Sequence, residues 1–247
     1  MKFSIFKKYL ALKDLIFFVI IIVSQIVGVN LLSFSNNKFL KDPLLLATFQ
    51  YFIFFLIVFI IWKIDTRNLS FISDENWFFT LGKALMPAII SFGIAFISVM
   101  LIVSIIEFLP FPEFIKNWVK IPNQGFVEIF DNIESNNKYK VIIWFFYIIV
   151  IAPISEEFIF RGFLQESLGK IFKKFNLDII LSSVIFALFH ISSLANAIYS
   201  FIVGFFLASQ RKYYRSINIS IWIHGLINFT GVVYGILLKY YLNKLNL

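Results

Sequence analysis

Residues 141–168 read VIIWFFYIIVIAPISEEFIFRGFLQESL. From Val141 to Ala152 there is no charged side chain, and then Glu156, Glu157 and Arg161 follow before any loop signal. The spacing predicts one long helix over 141–168, apolar enough to enter a bilayer. A charged side chain in hydrocarbon costs a few kcal/mol or more, so an ionisable residue there points to function by default. Residues four apart share a helix face. Glu157 and Arg161 are such a pair, and the arginine can neutralise that carboxylate. Glu156 lies about 100° around the helix and can face a different partner.

Working outward, further apolar runs at 15–34, 43–62, 84–106, 179–194, 197–209 and 217–238 join 141–168 as candidate spans. The expected architecture is all-α: a polytopic transmembrane helical bundle of about seven to eight helices, forming a single transmembrane domain over 1–247. Several details qualify it. The run at 15–34 is about 20 residues long, enough to span, and no small-x-small cleavage site follows, so it reads as an uncleaved first helix rather than a signal peptide. Run 197–209 is short for a full span and reads as tilted or buried. Pro110, Pro112 and Pro122 interrupt 107–140, which reads as an interfacial loop or a short amphipathic helix.

Composition agrees with lipid as the solvent. The chain has 247 residues, of which 60% are hydrophobic, and its mean hydropathy is +0.87; soluble domains sit near about 45–50% apolar. The 22 Lys and Arg against 14 Asp and Glu give a net charge of +8. These cations gather in short loops at 2–13, 63–83, 170–174 and 211–215, which alternate to one side. The positive-inside rule makes that side cytoplasmic, with the N-terminus. No basic, aromatic-studded face suggests nucleic acid. The absence of cysteine excludes a disulfide, a thiol nucleophile and thiolate metal ligation. Abundant Phe, Ile, Lys and Asn fit an AT-rich bacterial genome, hence a bacterial plasma membrane.

Both histidines of the chain, His190 and His224, fall in expected spans, as does Asn228. Counted from the basic loop ends, Glu156 is 14 residues from Lys170, His190 is 12 from Asp178 and His224 is 9 from Arg215. At about 1.5 Å per residue these are depths of roughly 14–21 Å in a core about 30 Å thick. All three can meet near mid-membrane. Phe186 shares a face with His190, and His224 with Asn228. Taken singly, each has a plain structural reading: Glu157–Arg161 as an ion pair, a histidine as a satisfied core residue, Asn228 as glue between helices. Taken together, several costly polar groups at one depth favour chemistry.

Glu156-Glu157-x-x-x-Arg161, Phe186-x-x-x-His190 and His224-x-x-x-Asn228, in this order on expected helices, resemble the motifs of the CPBP family. These are the CAAX proteases and bacteriocin-processing enzymes, also called Abi or Rce1-like. The resemblance covers a motif-bearing core at about 141–238. It implies an intramembrane endopeptidase acting on a hydrophobic or membrane-associated peptide. Carried over by motif, Glu156 is the base that activates water, His190 helps to hold that water, His224 and Asn228 stabilise the oxyanion, and Glu157 and Arg161 position Glu156. No cofactor is favoured. Zinc is the alternative, with Glu156, His190 and His224 as ligands and one position open; there is no His-Glu-x-x-His helix.

The chemistry is reasonable in itself, because peptide hydrolysis needs a base, a positioned water and oxyanion donors. Ser155 adjoins Glu156, but neighbours on a helix point apart, so a serine nucleophile is not expected. Two other classes compete: a non-catalytic immunity or binding protein, and a proton-coupled transporter. Intramembrane Glu and His also mark proton relays, but no repeat with broken helices in matching positions is seen.

Overall fold

The computed structural model describes residues 77–120, 138–172 and 176–244, together with the isolated positions Ile16, Val19, Val23 and Leu56. Apart from those isolated positions, the spans expected at 15–34 and 43–62 lie outside the described residues. Six helices are present among the described residues, with no strand. They are α1 (Trp77–Phe108), α2 (Glu113–Lys120), α3 (Lys138–Ile171), α4 (Leu177–Phe189), α5 (Leu194–Tyr214) and α6 (Ile217–Lys244). Three of them, α1, α3 and α6, are long and apolar enough to cross a membrane.

Against the seven to eight helices expected of the whole chain, the described residues hold six, of which three reach the length of a span. Helix α4 has 13 residues, about 20 Å at 1.5 Å each, less than the hydrocarbon thickness. It stops at Phe189 rather than near 194, and His190 is its C-cap, with φ −108° and ψ 18°. Helix α5 runs from 194 to 214 rather than 197–209. Ser193 caps it by accepting from the backbone N–H of Asn196 at 3.1 Å, the usual role of serine at a helix start. Within 107–140, the short amphipathic helix is α2.

Helix α3 is continuous but not uniform. Tyr147–Ile151 and Phe158–Gln165 are π-helical, and between them Ala152–Glu157 is α-helical with Pro153 near its start. Proline has no N–H to give to the carbonyl four residues back, and wider turns relieve such a break. Single π turns inside helices often coincide with functional sites. Here they bracket the two glutamates.

Packing follows the distribution of small side chains. On α1, Ala84, Ala88, Ser91 and Ala95 are fully or almost fully buried, at i, i+4, i+7 and i+11 on one face. They let α5 and α6 approach, where Val203, Leu207, Ile219, Ile223 and Ile227 complete a core. The other face of α1 exposes Met86, Ile89, Ile97 and Leu101, as a lipid-facing helix does. A second core joins Ile159, Phe160, Leu164 and Leu168 of α3 to Phe186 of α4.

Charged contacts gather where α3 and α5 end and α4 begins. Arg211 donates to Glu166 at 2.7 Å, Lys170 lies 3.5 Å from Glu166, and Lys212 donates to Asp178 at 2.8 Å. The cations expected on one side of the bilayer thus meet the acids of that same end.

Candidate active site

Glu157 and Arg161 are completely buried. Arg161 Nε lies 3.2 Å from Glu157 Oε2, one turn along α3 as the spacing requires. The guanidinium also donates through Nη2 to the carbonyl oxygen of Gly204 on α5, at 3.1 Å, and sits over the ring of Phe186, 4.7 Å from its centroid. An unpaired charge could not persist at this depth; here the charge has a carboxylate, a carbonyl and an aromatic face.

The other oxygen of Glu157 holds α6. Its Oε1 accepts from Nδ1 of His224 at 3.0 Å. His224 is buried, and its Nε2 points to Glu156, 3.9 Å from Oε2. On the opposite side, His190 Nε2 lies 3.6 Å from the same Glu156 oxygen. Nδ1 of His190 is 2.9 Å from the carbonyl oxygen of Phe186. A carbonyl only accepts, so Nδ1 carries the proton there and Nε2 presents a lone pair when the ring is neutral. Two imidazole nitrogens therefore converge on one carboxylate oxygen.

Phe186 fills the space among these groups. Its ring is 4.4 Å from that of His190 and 5.9 Å from that of His224, centroid to centroid. It is 2% exposed, so the imidazoles rest on a fixed apolar surface. His190 is the more open of the two, with its side chain 30% exposed.

Asn228 is placed differently from the rest. Its Nδ2 donates to the carbonyl oxygen of Ile148 at 2.9 Å, in the π-helical stretch of α3. One amide hydrogen is thus committed to holding α6 against α3, which is the helix-bridging use of a polar side chain in a membrane protein.

Two glycines allow these approaches. A Cβ at position 225 would lie 2.8 Å from the carbonyl oxygen of Ile149, closer than real Cβ atoms come, so Gly225 lets α6 press His224 onto Glu157. A Cβ at position 204 would lie 3.1 Å from the Phe186 ring, so Gly204 brings its carbonyl to Arg161. Sequence reading singled out neither. Gln165 was also missed: it is fully buried and donates to the carbonyl oxygen of Ala208 at 2.9 Å. Its signal was present, because Glu157, Arg161 and Gln165 repeat every four residues. Asn196 ties the same region by donating through Nδ2 to the carbonyl oxygen of His190 and to Ser192 Oγ.

A cavity of about 450 Å³ adjoins the two imidazoles. Phe186, His190 and His224 are part of its lining, and the rest comes from Ser193 and from α1, α5 and α6. Among the described residues, no Asp, Glu, Lys or Arg lines it. Among the described residues, no group of three or more His, Cys, Asp or Glu side chains has the spacing to hold a metal ion.

No curated protein and no solved structure matches the chain. A family model does match residues 138–230, and its description is type II CAAX prenyl endopeptidase Rce1-like. The matched segment begins with α3 and ends in α6, and so contains Glu156, Glu157, Arg161, Phe186, His190, His224 and Asn228. Three helices are long and apolar enough to cross a bilayer, which makes this a membrane protein, and its residues 138–230 are similar to the Rce1-like type II CAAX prenyl endopeptidases.

Proposed function

We propose that the protein is an intramembrane endopeptidase in which Glu156 activates water to cleave a hydrophobic or membrane-associated peptide. One observation carries this reading: Glu156 Oε2 faces the Nε2 atoms of His190 and His224 at 3.6 and 3.9 Å. The gap to each imidazole is longer than a direct hydrogen bond and suits groups that share a small reactant between them.

Glu156 takes a proton from water as the oxygen attacks the scissile carbonyl carbon, and the tetrahedral intermediate's oxyanion forms. Glu156 then gives the proton to the leaving amine as the C–N bond breaks, so atoms and charge balance. His190, with Nδ1–H held by the Phe186 carbonyl, accepts from the water through Nε2 and aims its lone pair at the carbon. His224, with Nδ1 on Glu157, donates from Nε2 to the oxyanion when it carries its second proton. Glu157 and Arg161 hold His224 and the helix that bears Glu156. Asn228 has one amide hydrogen left for the oxyanion after bonding Ile148; its first contribution is to position α6.

Zinc chemistry is the second reading, on the donor types alone, because the three side chains as placed do not have the spacing to hold a metal ion. Both Nδ1 atoms have acceptors, which is how metal-binding imidazoles are commonly oriented. Glu156, His190 and His224 would be the ligands. The metal-free mechanism is preferred because Glu156 needs no further group to serve as base.

The chain is proposed to be a single transmembrane domain with a motif-bearing core at 141–238, in a bacterial plasma membrane, N-terminus cytoplasmic. The substrate is then a hydrophobic signalling or precursor peptide rather than a prenylated protein. The test is cleavage of a hydrophobic peptide library by the protein in reconstituted membranes, with wild type and Glu156→Ala compared with and without chelator. Loss only in the variant supports the glutamate mechanism. Loss in chelated wild type, restored by zinc, replaces it with the metal mechanism. Properly inserted protein that cleaves nothing favours a binding or immunity role.

A further inference from the structure

We infer that selectivity for the substrate's side chain is set by a pocket between α1 and α6, built chiefly by Phe96 of α1 and by Gly231 and Gly235 of α6. This rests on the endopeptidase reading and adds to it a specificity determinant on α1, a helix outside the family-matched segment 138–230.

The cavity beside His190 and His224 extends along α6 to Gly235, eleven positions beyond His224, or about 16 Å at 1.5 Å per residue. His224, Gly231 and Gly235 lie on one stripe of α6, seven and then four residues apart. A glycine in a helix interior carries a propensity cost, and in membrane helices glycines four apart usually mark close packing. These two line the cavity. The missing side chains are what gives the pocket its depth.

Aromatic side chains of both α1 and α6 also line it. Phe92 and Phe96 stack with centroids 6.1 Å apart, and Phe96 meets Tyr234 edge-on at 5.3 Å. All three line the cavity. The Phe96–Tyr234 contact joins α1 to α6 and limits what fits between them.

The occupant is an uncharged, bulky apolar side chain of the peptide, close to the scissile bond. Among the described residues the lining has no Asp, Glu, Lys or Arg, and burying an unpaired charge there is prohibitive. The volume of about 450 Å³ falls within the range of built ligand pockets, about 300–1,000 Å³. Continuity with His190 and His224 places that side chain next to the bond to be cut.

The experiment measures kcat/KM of the full-length protein in reconstituted membranes for peptides differing at one position: Ala, Leu, Phe, Trp or Asp. Phe96→Ala is expected to shift preference toward Trp by about tenfold, and Gly231→Leu toward Ala by about tenfold; one methylene's worth of pocket is worth about 10–200-fold. Asp is expected to be poor throughout. Thermal unfolding of each variant separates altered selectivity from lost fold, and Phe96→Leu serves if Phe96→Ala does not insert. Opposite shifts in the two variants support the assignment. Glu156-dependent cleavage with the same side-chain ranking in wild type and both variants overturns it and leaves the peptidase intact.

If wild type shows no Glu156-dependent cleavage, the peptidase reading fails, and cross-linking still decides the pocket. A peptide bearing benzoylphenylalanine is irradiated with Glu156→Gln protein. Adducts on 92–100 of α1 or 231–235 of α6 support the pocket as the peptide's site; adducts confined to other segments overturn it.

Discussion

Nδ1 of His224 lies 3.0 Å from Oε1 of Glu157, so the carboxylate beside the proposed base holds the histidine of another helix. Glu157 thereby joins two groups: its second oxygen meets Arg161 at 3.2 Å, and all of this is buried. Removing one member of a buried pair leaves the other charge uncompensated, which costs about 3–5 kcal/mol. Glu157→Ala is expected to lower stability by about that much and to abolish activity. Glu157→Gln keeps the shape and should destabilise less. Denaturant unfolding in micelles beside the cleavage assay checks both; a Glu157→Ala protein as stable as wild type contradicts the assigned role.

Glu156 is the other half of the pair with a different task. Glu156→Gln preserves volume and leaves the Glu157–Arg161 contact in place. General-base assistance contributes about 10²–10⁴ in rate, and turnover is expected to fall by at least that factor while the unfolding midpoint moves little. Stopped turnover accompanied by a collapse in stability would reassign Glu156 to structure.

Gly225 tests the approach of α6 to α3. An added methyl meets the Ile149 carbonyl at 2.8 Å, and overpacking of this kind costs about 1–3 kcal/mol. Gly225→Ala should be destabilised by that amount and lose activity through displacement of His224. Gly82→Ala, where nothing lies within 4 Å of the new atom, should be neutral or stabilised by up to about 1 kcal/mol. Equal behaviour of the two variants in thermal unfolding argues against a close contact at 225.

Asn228→Ala removes the hydrogen bond to Ile148 and leaves a carbonyl of the π-helical turn without that donor, at a cost of about 1–3 kcal/mol. Activity should drop through both loosened helix contact and the lost second amide hydrogen. Asn228→Gln, one methylene longer, offers the same donors from a displaced position. If activity falls in both but stability falls only in Asn228→Ala, the amide acts on the reaction as well as on the packing.

Much of this was legible before any coordinates. The run 141–168 announced a lipid-soluble helix by its lack of charge, and Glu157–Arg161 followed from the 3.6-residue period alone, because a pair on one helix needs no tertiary information. The depth of Glu156, His190 and His224 could be counted from loop ends, since rise per residue and membrane thickness are fixed by covalent geometry and lipid. What the period could not show is which carboxylate oxygen each imidazole faces. That depends on the rotation and separation of α3, α4 and α6, set by Gly225, Gly204 and the broken hydrogen-bond ladder at Pro153. Helix α4 likewise ends four to five residues before its apolar run does, because Ser193 and Asn196 bind the turn and His190 caps the last carbonyls. Apolar residues continue past that end, so hydropathy has no means of marking it. Sequence alone determined the solvent, the helical class and the residue types of the site, because each is a property of one segment in lipid. The pairing of His224 with Glu157, the commitment of Asn228 to Ile148 and the pocket between Phe96 and Gly231 were decided only by tertiary packing, because each joins segments whose relative placement no local pattern encodes.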